Sequence, residues 1–490
     1  MHRERALGLL DRFHGAHVIV LGDVMLDRFV YGSVQRISPE APVPVLSIER
    51  TLDMPGGAAN VARNVVSLGA RCTLLGVVGA DEGAFELRSQ LAKFPAIATR
   101  LIADSSRLTP LKIRYVADGQ QVMRADRERR DALSTDSATK LLADLAAAIA
   151  QGDILVLSDY AKGVLTDLVV RESIAIAKRA GKPVIVDPKS TNLSRYRGAT
   201  VLTPNRQELQ NASGLECTTT DQVCHAAREI LAAGVCEVLV VTRGKEGMSV
   251  IEAGGKFVHL PTEARQVFDV SGAGDTVIAT LALSIASGGA IEDCASFANL
   301  AAGIVVGKRG TATVTPVEVL AAMPKLETGA DPSKIYSTEH VLRLAREWRA
   351  RGERIAFTNG CFDLLHPGHI SLLEQARNSA DRLIVGLNAD DSVRRLKGAA
   401  RPIQGEISRA VVLAAVKSVD AVVIFSSDTP LELIKDLQPD VLVKGSDYTL
   451  ETTVGAAEVL SAGGQVLFAE LVAGHSTSET VRRVADPSAS

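Results

Sequence analysis

The stretch DVSGAGDT, residues 269–276, is followed by the apolar run IATLALSIASGGA. Glycine disfavours a helix, and burying a carboxylate costs free energy. The presence of two glycines and an aspartate at the start of a predicted core helix therefore calls for an explanation. One explanation is that Gly272, Ala273 and Gly274 leave backbone N–H groups open at the helix N-terminus, where an anion is attracted. Asp275 is then a base that takes a proton from an attacking hydroxyl. The alternative is a helix cap in which Asp275 only complements the dipole.

The amino-acid composition is that of an ordinary soluble globular protein, and it indicates small molecules as the expected partners. Its 490 residues are 46% hydrophobic and 23% charged, a length for at most about three folding units. The 54 basic and 57 acidic residues are mixed, so neither nucleic acid nor membrane is an expected partner. The N-terminus shows no secretory pattern, and the six scattered cysteines lack metal-site spacing. We therefore expect reduced cysteines and a cytoplasmic location.

Two blocks of alternating strands and helices predict an α/β fold in two domains. In the first block, buried parallel strands of a doubly wound sheet are predicted at AHVIVLGD, CTLLGVVG, DILVLSD, PVIVDP, ATVLTPN and VEVLVVTRG. A shorter series follows at ERIAFTN, DRLIVGLN, DAVVIF, DVLVKG and GQVLFAE. We place the domains at residues 1–325 and 341–490, with a polar linker over residues 326–340.

An antiparallel insertion interrupts the first block. The runs LKIRYVA and QQVMRAD flank Asp118-Gly119, the signal for a two-residue type I′ hairpin, and PVPVLSI lies upstream. Such a β flap is a candidate lid over a site at the strand ends. Its basic side chains Lys112, Arg114 and Arg124 form a clamp for a phosphate-bearing substrate, or are simply solvated.

The segment MPGGAANVARNVVSLGA is the second chemical signal of the first block. Gly56 and Gly57 precede a helix predicted from Ala58, and small residues there let a polyol approach the backbone. Asn60 would offer it both a donor and an acceptor. Neither G-x-G-x-x-G nor a Walker motif occurs, which argues against the dinucleotide-binding and P-loop folds.

PGGAANVA followed by DVSGAGDT resembles the two signatures of the ribokinase-like carbohydrate kinases, over roughly residues 12–320. The resemblance implies that Asp275 is the catalytic base and that Gly272, Ala273 and Gly274 form the anion hole. It places sugar hydroxyls on Asp23 and Asp27. The substrate site that we expect from the residues themselves adds Gly56, Gly57 and Asn60, with Lys112 and Arg124 of the clamp for the substrate's own phosphate. The resemblance places ATP and Mg²⁺ at Asn205, Arg206, Gln207 and Glu208 of TPNRQE, with Asn205 and Glu208 holding the metal through water, and the nucleotide at Thr242, Arg243 and Gly244.

The stretch TNGCFDLLHPGHISLLEQAR carries the chemistry of the second block. His366 and His369 flank Pro367-Gly368 where a strand passes into a helix, and the first turn of that helix favours phosphate. As hydrogen-bond donors, both histidines would stabilise charge on an α-phosphate and its pyrophosphate leaving group. The alternative is that the two histidines coordinate zinc, although no third metal-coordinating residue follows at a familiar spacing.

H-x-G-H after a strand resembles the cytidylyltransferase-like nucleotidyltransferases, from about residue 354 to 484. The resemblance implies a smaller Rossmann-like α/β domain. It places phosphate contacts at Lys397 and Arg401 on a mobile loop, at Lys444 at a strand end, and at Ser476 and Thr477 at the start of the last helix.

The order of the two blocks resembles a family of bifunctional enzymes that make ADP-heptose for lipopolysaccharide. This resemblance implies heptose phosphates and ATP as substrates in both domains, and a homodimer. One alternative keeps both reactions but uses another sugar phosphate, with CTP in the second domain. Another is a nucleotide-sensing module with an inactive kinase fold, which the retention of Asp275, His366 and His369 disfavours.

Overall fold

The computed structural model describes residues 3–262, 267–308, 310–323 and 334–470. The chain divides into two compact units, Met1–Val319 and Leu320–Ser490. Ile335–Tyr336, inside the predicted linker, pairs with Val422 and Val423 of the second unit's sheet. This part of the predicted linker is therefore regular structure, while the boundaries at residues 325 and 341 stay predictions.

The first unit contains a large sheet covered by helices and a separate smaller sheet. Its strands are β1 (His17–Gly22), β2 (Val24–Ile37), β3 (Pro44–Gly57), β4 (Arg71–Val78), β5 (Ile97–Ala103), β6 (Leu111–Ala117), β7 (Gln120–Arg127), β8 (Ile154–Ser158), β9 (Val184–Asp187), β10 (Ala199–Leu202), β11 (Cys236–Thr242), β12 (Met248–Glu252) and β13 (Phe257–Leu260). Its helices are α1 (Arg3–Phe13), α2 (Ala58–Ser67), α3 (Glu82–Leu91), α4 (Thr135–Ile149), α5 (Asp167–Arg179), α6 (Arg206–Ser213), α7 (Thr220–Ala232), α8 (Ala273–Ala286) and α9 (Ile291–Val305). A further helix, α10 (Pro316–Ala322), spans the division between the units.

The large sheet has the order β13-β12-β11-β10-β9-β8-β1-β4-β5. The six strands predicted from apolar runs are confirmed as β1, β4 and β8 to β11, and neighbouring pairs among them run parallel. Their side chains are buried because helices cover both faces of a doubly wound sheet, as the fully buried strand β8 illustrates. The antiparallel strands β12 and β13, which extend the sheet beyond β11 and end it at β13, were not predicted.

The smaller sheet, in the order β3-β2-β6-β7, is the predicted lid and is larger than a hairpin. Asp118 and Gly119 both have positive φ, 51° and 82°, as a type I′ turn requires. The segment LGDVMLD, residues 21–27, is divided between two strands. The chain leaves β1 at Gly22 and enters the separate strand β2 at Val24, which pairs in parallel with β6. A 14-residue strand can leave the core in this way because only its first part is buried.

The second unit is built on one parallel sheet in the order β14-β17-β16-β15-β18-β19. Its strands are β14 (Ile335–Tyr336), β15 (Ile355–Gly360), β16 (Arg382–Asn388), β17 (Ala421–Phe425), β18 (Val441–Gly445) and β19 (Gln465–Ala469). Its helices are α11 (Thr338–Ala350), α12 (Pro367–Asn378), α13 (Asp390–Lys397), α14 (Glu406–Ala415), α15 (Leu431–Leu437) and α16 (Ala456–Ser461). All five predicted strands are present, and Trp348, Phe357 and Leu442 lie in its own hydrophobic core. Among the described residues, no helix combines the length and hydrophobicity needed to cross a membrane.

Candidate active sites

A small cavity of about 160 Å³ lies at the carboxyl ends of the parallel strands of the first unit. Asp187 ends β9, Thr242 ends β11, and Asn205 follows β10. Parallel strands bring their carboxyl ends to one edge of the sheet, where α/β proteins bind ligands. Gly274, at the start of α8, also lines this cavity, so the segment DVSGAGDT lies at its wall.

Asp275 lies buried beside this cavity, only 4% exposed. Asn60 Nδ2 donates to its Oδ2 at 2.7 Å, and the Tyr160 hydroxyl donates to its Oδ1. Burial raises the pKa of Asp275 to about 6, and the two donated hydrogen bonds oppose that rise. The carboxylate is therefore ionised at neutral pH with a pKa near the working range of a general base.

The N-terminus of α8 is shaped as the sequence predicts. Gly272 is the N-cap residue with φ of 81°, and no side chain caps the helix. One predicted donor is partly used, because Ala273 N–H donates to the Val270 carbonyl at 3.3 Å. The first turn nonetheless presents its dipole to the cavity that Gly274 lines.

Asn60 is positioned to serve Asp275. It is fully buried on α2, and its Oδ1 accepts a hydrogen bond from Arg63 Nη1 at 3.1 Å. That contact points the Asn60 amide N–H₂ toward the Asp275 carboxylate. The predicted contact between Asn60 and a polyol stays a prediction, while its contact with Asp275 was not anticipated.

Gly56 and Gly57 provide room at the end of β3. A Cβ at Gly56 would lie 2.2 Å from Asp27 Oδ2, and one at Gly57 would lie 2.4 Å from the Asp23 carbonyl oxygen. Gly57 also has a positive φ of 59°. Both glycines are therefore required by close packing against the residues predicted to bind sugar.

Asp23 has a different immediate environment from the one predicted. Its carboxylate accepts N–H groups from Tyr160 at 2.9 Å, Lys162 at 3.0 Å and Val164 at 3.1 Å. Burial raises its pKa, and these bonds partly counter the effect. In this arrangement Asp23 holds the loop after β8, and its role toward a sugar stays a prediction.

The lid contributes charged groups close to the base. Arg114 Nη1 lies 2.5 Å from Asp27 Oδ1, with both side chains nearly buried. Lys112 Nζ lies 5.4 Å from the centre of the Tyr160 ring, and burial lowers its pKa. Arg124, by contrast, is exposed and pairs with Asp126 at 3.0 Å on its own strand. The structure therefore brings Lys112 toward the site and gives Arg124 a local partner.

Asn205 and Glu208 of TPNRQE form a capping box at the start of α6. Asn205 Oδ1 accepts Glu208 N–H, and Glu208 Oε2 accepts Asn205 N–H, both at 2.9 Å. Lys189 Nζ lies 2.8 Å from Glu208 Oε1, and Asp187 shares the cavity, where burial raises its pKa to about 8. Amide and carboxylate oxygens suit a hard cation that keeps most of its waters, so these residues fit Mg²⁺ held through water.

The proposed nucleotide loop is divided between cavity and core. Thr242 lines the cavity. Arg243 is buried, and its Nη1 donates to Thr220 Oγ1 at 2.8 Å, so its guanidinium stabilises the loop from inside. Gly244 has φ of 58° with open space beside it. Arg206 and Gln207 are exposed on α6, and their described partners are Glu246 and Asn211.

A larger cavity of about 540 Å³ lies in the second unit, lined by both predicted histidines. His366 is the N-cap residue of α12, with Pro367 in its first turn as predicted. The two imidazole rings stack with centroids 3.8 Å apart. Burial and the neighbouring His366 lower the pKa of His369 to about 4, so it is neutral at pH 7. Within the described residues neither histidine belongs to a group of three possible metal ligands, which disfavours zinc.

Lys444 and Lys397 line the same cavity from different elements. Lys444 Nζ donates to Asn359 Oδ1 at 2.7 Å, and burial lowers its pKa to about 8. Lys397 was predicted on a loop, but it is the last residue of α13 and is exposed. The predicted phosphate contacts Ser476 and Thr477 lie outside the described residues.

Two buried ion pairs shape this second cavity. Arg401 Nε lies 2.5 Å from Asp363 Oδ2, and Asp363 Oδ1 accepts the Ile403 N–H at 2.7 Å. The second pair joins Arg409 Nη2 to Asp390 Oδ1 at 2.5 Å. Arg409 is fully buried, and its Nη1 donates to the Cys361 carbonyl at 2.6 Å and to the Asn388 carbonyl at 2.9 Å. These contacts fix the loop after β15, which leads into α12 and its two histidines.

Sequence reasoning did not select Tyr160, Asp187 or Arg409. Asp187 had a usable signal, since PVIVDP places an acidic residue at the end of a predicted parallel strand. Tyr160 and Arg409 had none, because their partners Asp275 and Cys361 are 115 and 48 residues away in sequence.

Comparisons with known proteins agree with this two-site architecture. Residues 16–318 match the pfkB family of carbohydrate kinases, and residues 357–473 match the cytidylyltransferase-like family. The bifunctional protein HldE of Caulobacter vibrioides is 51% identical over 481 residues, covering 98% of this chain and 99% of that protein. The HldE protein of Paramagnetospirillum magneticum is 49% identical over 475 residues, covering 97% of each.

The chain belongs to the HldE family of bifunctional proteins. As an HldE-family enzyme it combines a carbohydrate kinase domain with a nucleotidyltransferase domain, which confirms the predicted fold class and excludes a pure binding module. Membership of these families also implies ATP and a divalent metal ion.

Solved structures share the fold of the first unit. A ribokinase of Arabidopsis thaliana complexed with ribose and ATP superposes with a TM-score of 0.51 at 21% identity, covering 63% of this chain and 98% of that one. Phosphofructokinase-2 of Escherichia coli in complex with potassium gives 0.54 at 22% identity, covering 62% and 96%. At this level of identity the similarity establishes the ribokinase-like fold alone.

Proposed function

We propose that the chain makes ADP-heptose for the lipopolysaccharide core through two separate ATP-dependent reactions. The first domain phosphorylates D-glycero-β-D-manno-heptose 7-phosphate at C1. The second transfers AMP from ATP to heptose 1-phosphate and releases pyrophosphate. Near-full-length identity to HldE proteins favours these substrates over another sugar phosphate with CTP.

The observation that carries the kinase assignment is the buried Asp275 carboxylate at an uncapped helix N-terminus beside a cavity. Asp275 takes the proton of the C1 hydroxyl while that oxygen forms a bond to the γ-phosphorus and the bond to the ADP oxygen breaks. The first N–H groups of α8 stabilise the charge on the transferred group. Asn205 and Glu208 would hold Mg²⁺ through water, and the ion would supply positive charge that neutralises the ATP phosphates.

In the second domain, a phosphate oxygen of heptose 1-phosphate attacks the α-phosphorus of ATP and pyrophosphate leaves. His366 and His369 stand at the N-terminus of α12, where imidazole N–H groups can donate to phosphate oxygens, and His369 is in the neutral form at pH 7. Lys444 adds a positive charge from the end of β18. All three line one cavity, which supports a shared role in stabilising the transition state.

Asp275→Asn tests the kinase assignment. The variant should lose about 10²- to 10⁴-fold of sugar phosphorylation, because a neutral amide cannot accept the hydroxyl proton. Adenylyl transfer by the same preparation is the internal control and should be unchanged. Phosphorylation within a few-fold of the unmodified enzyme would restore the simple helix-cap interpretation.

A substrate panel tests the rest of the proposal. Heptose 7-phosphate with ATP should yield the 1,7-bisphosphate, and heptose 1-phosphate should react with ATP in preference to CTP. Preference for CTP, or for a different sugar phosphate in the first reaction, would replace the heptose assignment with the alternative enzyme.

A homodimer through the lid is part of this proposal. The lid sheet and the loop before β3 expose six large apolar side chains: Ile37, Val43, Ile48, Leu52, Val122 and Met123. Exposed apolar clusters of this kind are typical of protein interfaces. Replacing Ile48 and Leu52 by Asp should convert a dimer in sedimentation experiments to a monomer; a mass that does not change places the interface elsewhere.

The proposed location of the protein is the cytoplasm. Its six cysteines are all free thiols, as a reducing compartment maintains them.

A further inference from the structure

The loop that follows β8 reaches across the kinase site to the proposed base. Its backbone is held at three N–H groups by Asp23, as described above, and Ala161 within it has a positive φ of 53°. Gly163 has φ of 88°, and a Cβ there would lie 2.1 Å from the Asp131 carbonyl oxygen. An unfavourable backbone conformation persists only where surrounding contacts impose it, so the position of this loop is strongly determined.

The side chain that this loop delivers is Tyr160. Its hydroxyl donates to Asp275 Oδ1, and the other oxygen of the same carboxylate accepts from Asn60. Lys112 of the lid lies over the ring, so the aromatic side chain is enclosed between lid and base. A carboxylate has about four acceptor sites, and two donors leave others for the substrate hydroxyl.

We infer that Tyr160 is a positioning residue for the kinase reaction, whose hydroxyl orients the Asp275 carboxylate and keeps it in the charged form. This inference rests on the proposed role of Asp275 as the base. No proton is transferred from Tyr160, because burial and nearby carboxylates raise its pKa well above that of an ordinary phenol. The hydroxyl therefore remains a donor throughout the reaction.

Loss of the Tyr160 hydroxyl should raise the pKa of Asp275. Burial raises the pKa of Asp275, and the bond from Tyr160 is the first of the effects that lower it. Other charged groups act on Asp275 from α2, β2, β6 and β9: Arg63, Asp27, Lys112 and Asp187. Removing the hydroxyl leaves these groups in place and removes one stabilising bond to the charged form. The pKa of Asp275 should rise, and activity that requires its ionised form should be lost at higher pH than before.

Tyr160→Phe tests the inference through the pH profile of kcat/KM for phosphorylation. We expect the acidic limb to move up by about one pH unit, a loss of about fivefold at pH 6 that approaches tenfold at lower pH and nearly vanishes by pH 8.5. The substrate's own phosphate titrates identically in both enzymes, so only the shift between them counts. A reduction equal at every pH, or an unshifted limb, would overturn the positioning role.

Tyr196→Phe is the matched control. The Tyr196 hydroxyl is buried nearby but donates to Asp159 at 2.6 Å instead of Asp275. This variant should change thermal stability and leave the acidic limb in place; a shift equal to that of Tyr160→Phe would show a general effect of lost buried hydroxyls and overturn the inference. Adenylyl transfer by each preparation checks that the chain is intact.

A second variant keeps the test valid if phenylalanine disturbs folding. Site-specific 2,3,5-trifluorotyrosine at position 160 retains the ring and hydroxyl but is a stronger donor, so the limb should move to lower pH, opposite to Tyr160→Phe. No shift overturns the inference. If the limb is absent from the unmodified enzyme, or Asp275→Asn remains active, the assignment of the base itself has failed instead.

Discussion

At the scale of single residues, the two sites use burial in opposite directions. Burial raises the pKa of the acid Asp275 to about 6, as the proposed role of a base requires, and lowers the pKa of the cation Lys444 to about 8. Because a buried charge is stabilised only by its partners, both groups stand among polar neighbours, Asn60 and Tyr160 for the acid and Asn359 for the lysine.

Lys444 should make adenylyl transfer sensitive to alkaline pH. Its ammonium form exists below the pKa of about 8 and is lost as the pH rises through that value, together with its attraction for phosphate. We expect kcat/KM for adenylyl transfer to fall above pH 8, since this ratio reports groups of the free enzyme.

Lys444→Arg is the matched control, because a guanidinium remains charged far above pH 8. The variant should be slower overall but should lose the alkaline fall. If the fall persists in the arginine variant, another group causes it, and phosphorylation measured on the same samples shows whether the whole chain is affected.

At the scale of elements, the start of α8 joins backbone geometry to catalysis. Gly272 has φ of 81°, and a Cβ there would lie 2.9 Å from Asn60 Nδ2, the donor to Asp275. Gly274, two residues later, has no atom within 4 Å of such a Cβ and no positive φ. Two glycines of one motif therefore differ in what they tolerate.

Gly272→Ala should destabilise the first domain by about 1–2 kcal/mol, the cost of a left-handed conformation with a side chain. Phosphorylation should fall by about 10²-fold, because displacement of Asn60 removes a donor from the base. Gly274→Ala should melt no lower than the unmodified protein, since alanine is favoured over glycine in a helix. Equal melting temperatures for the two variants in calorimetry would contradict this account.

Elements with a local signature were predicted well. Asp118-Gly119 encodes its turn in two residues, and the apolar runs of β1 and β8 reflect burial on both faces. Strand β2 was missed because its outer part lies in a lid, where burial does not impose one continuous pattern. The same limit applies to the site: the glycines and Asp275 form a local motif, whereas Tyr160 reaches Asp275 only through the tertiary fold.

At the scale of the whole molecule, each unit has its own sheet and its own hydrophobic core. Residues 1–323 and 334–490, produced as two separate polypeptides, should therefore each fold and retain their own reaction. The second polypeptide should begin before Ile335, because β14 pairs with β17. A version that begins at Ser337 lacks that strand and should melt at a lower temperature than the version that begins at Lys334.

The comparison of these two versions distinguishes an edge strand from a linker. Equal melting temperatures would mean that β14 contributes nothing and that the predicted linker extends through residue 336. Failure of both separated domains to fold, while the intact chain is active, would mean that the two cores stabilise each other. Retained phosphorylation by one polypeptide and retained adenylyl transfer by the other is the expected result, since each reaction draws its described groups from one unit.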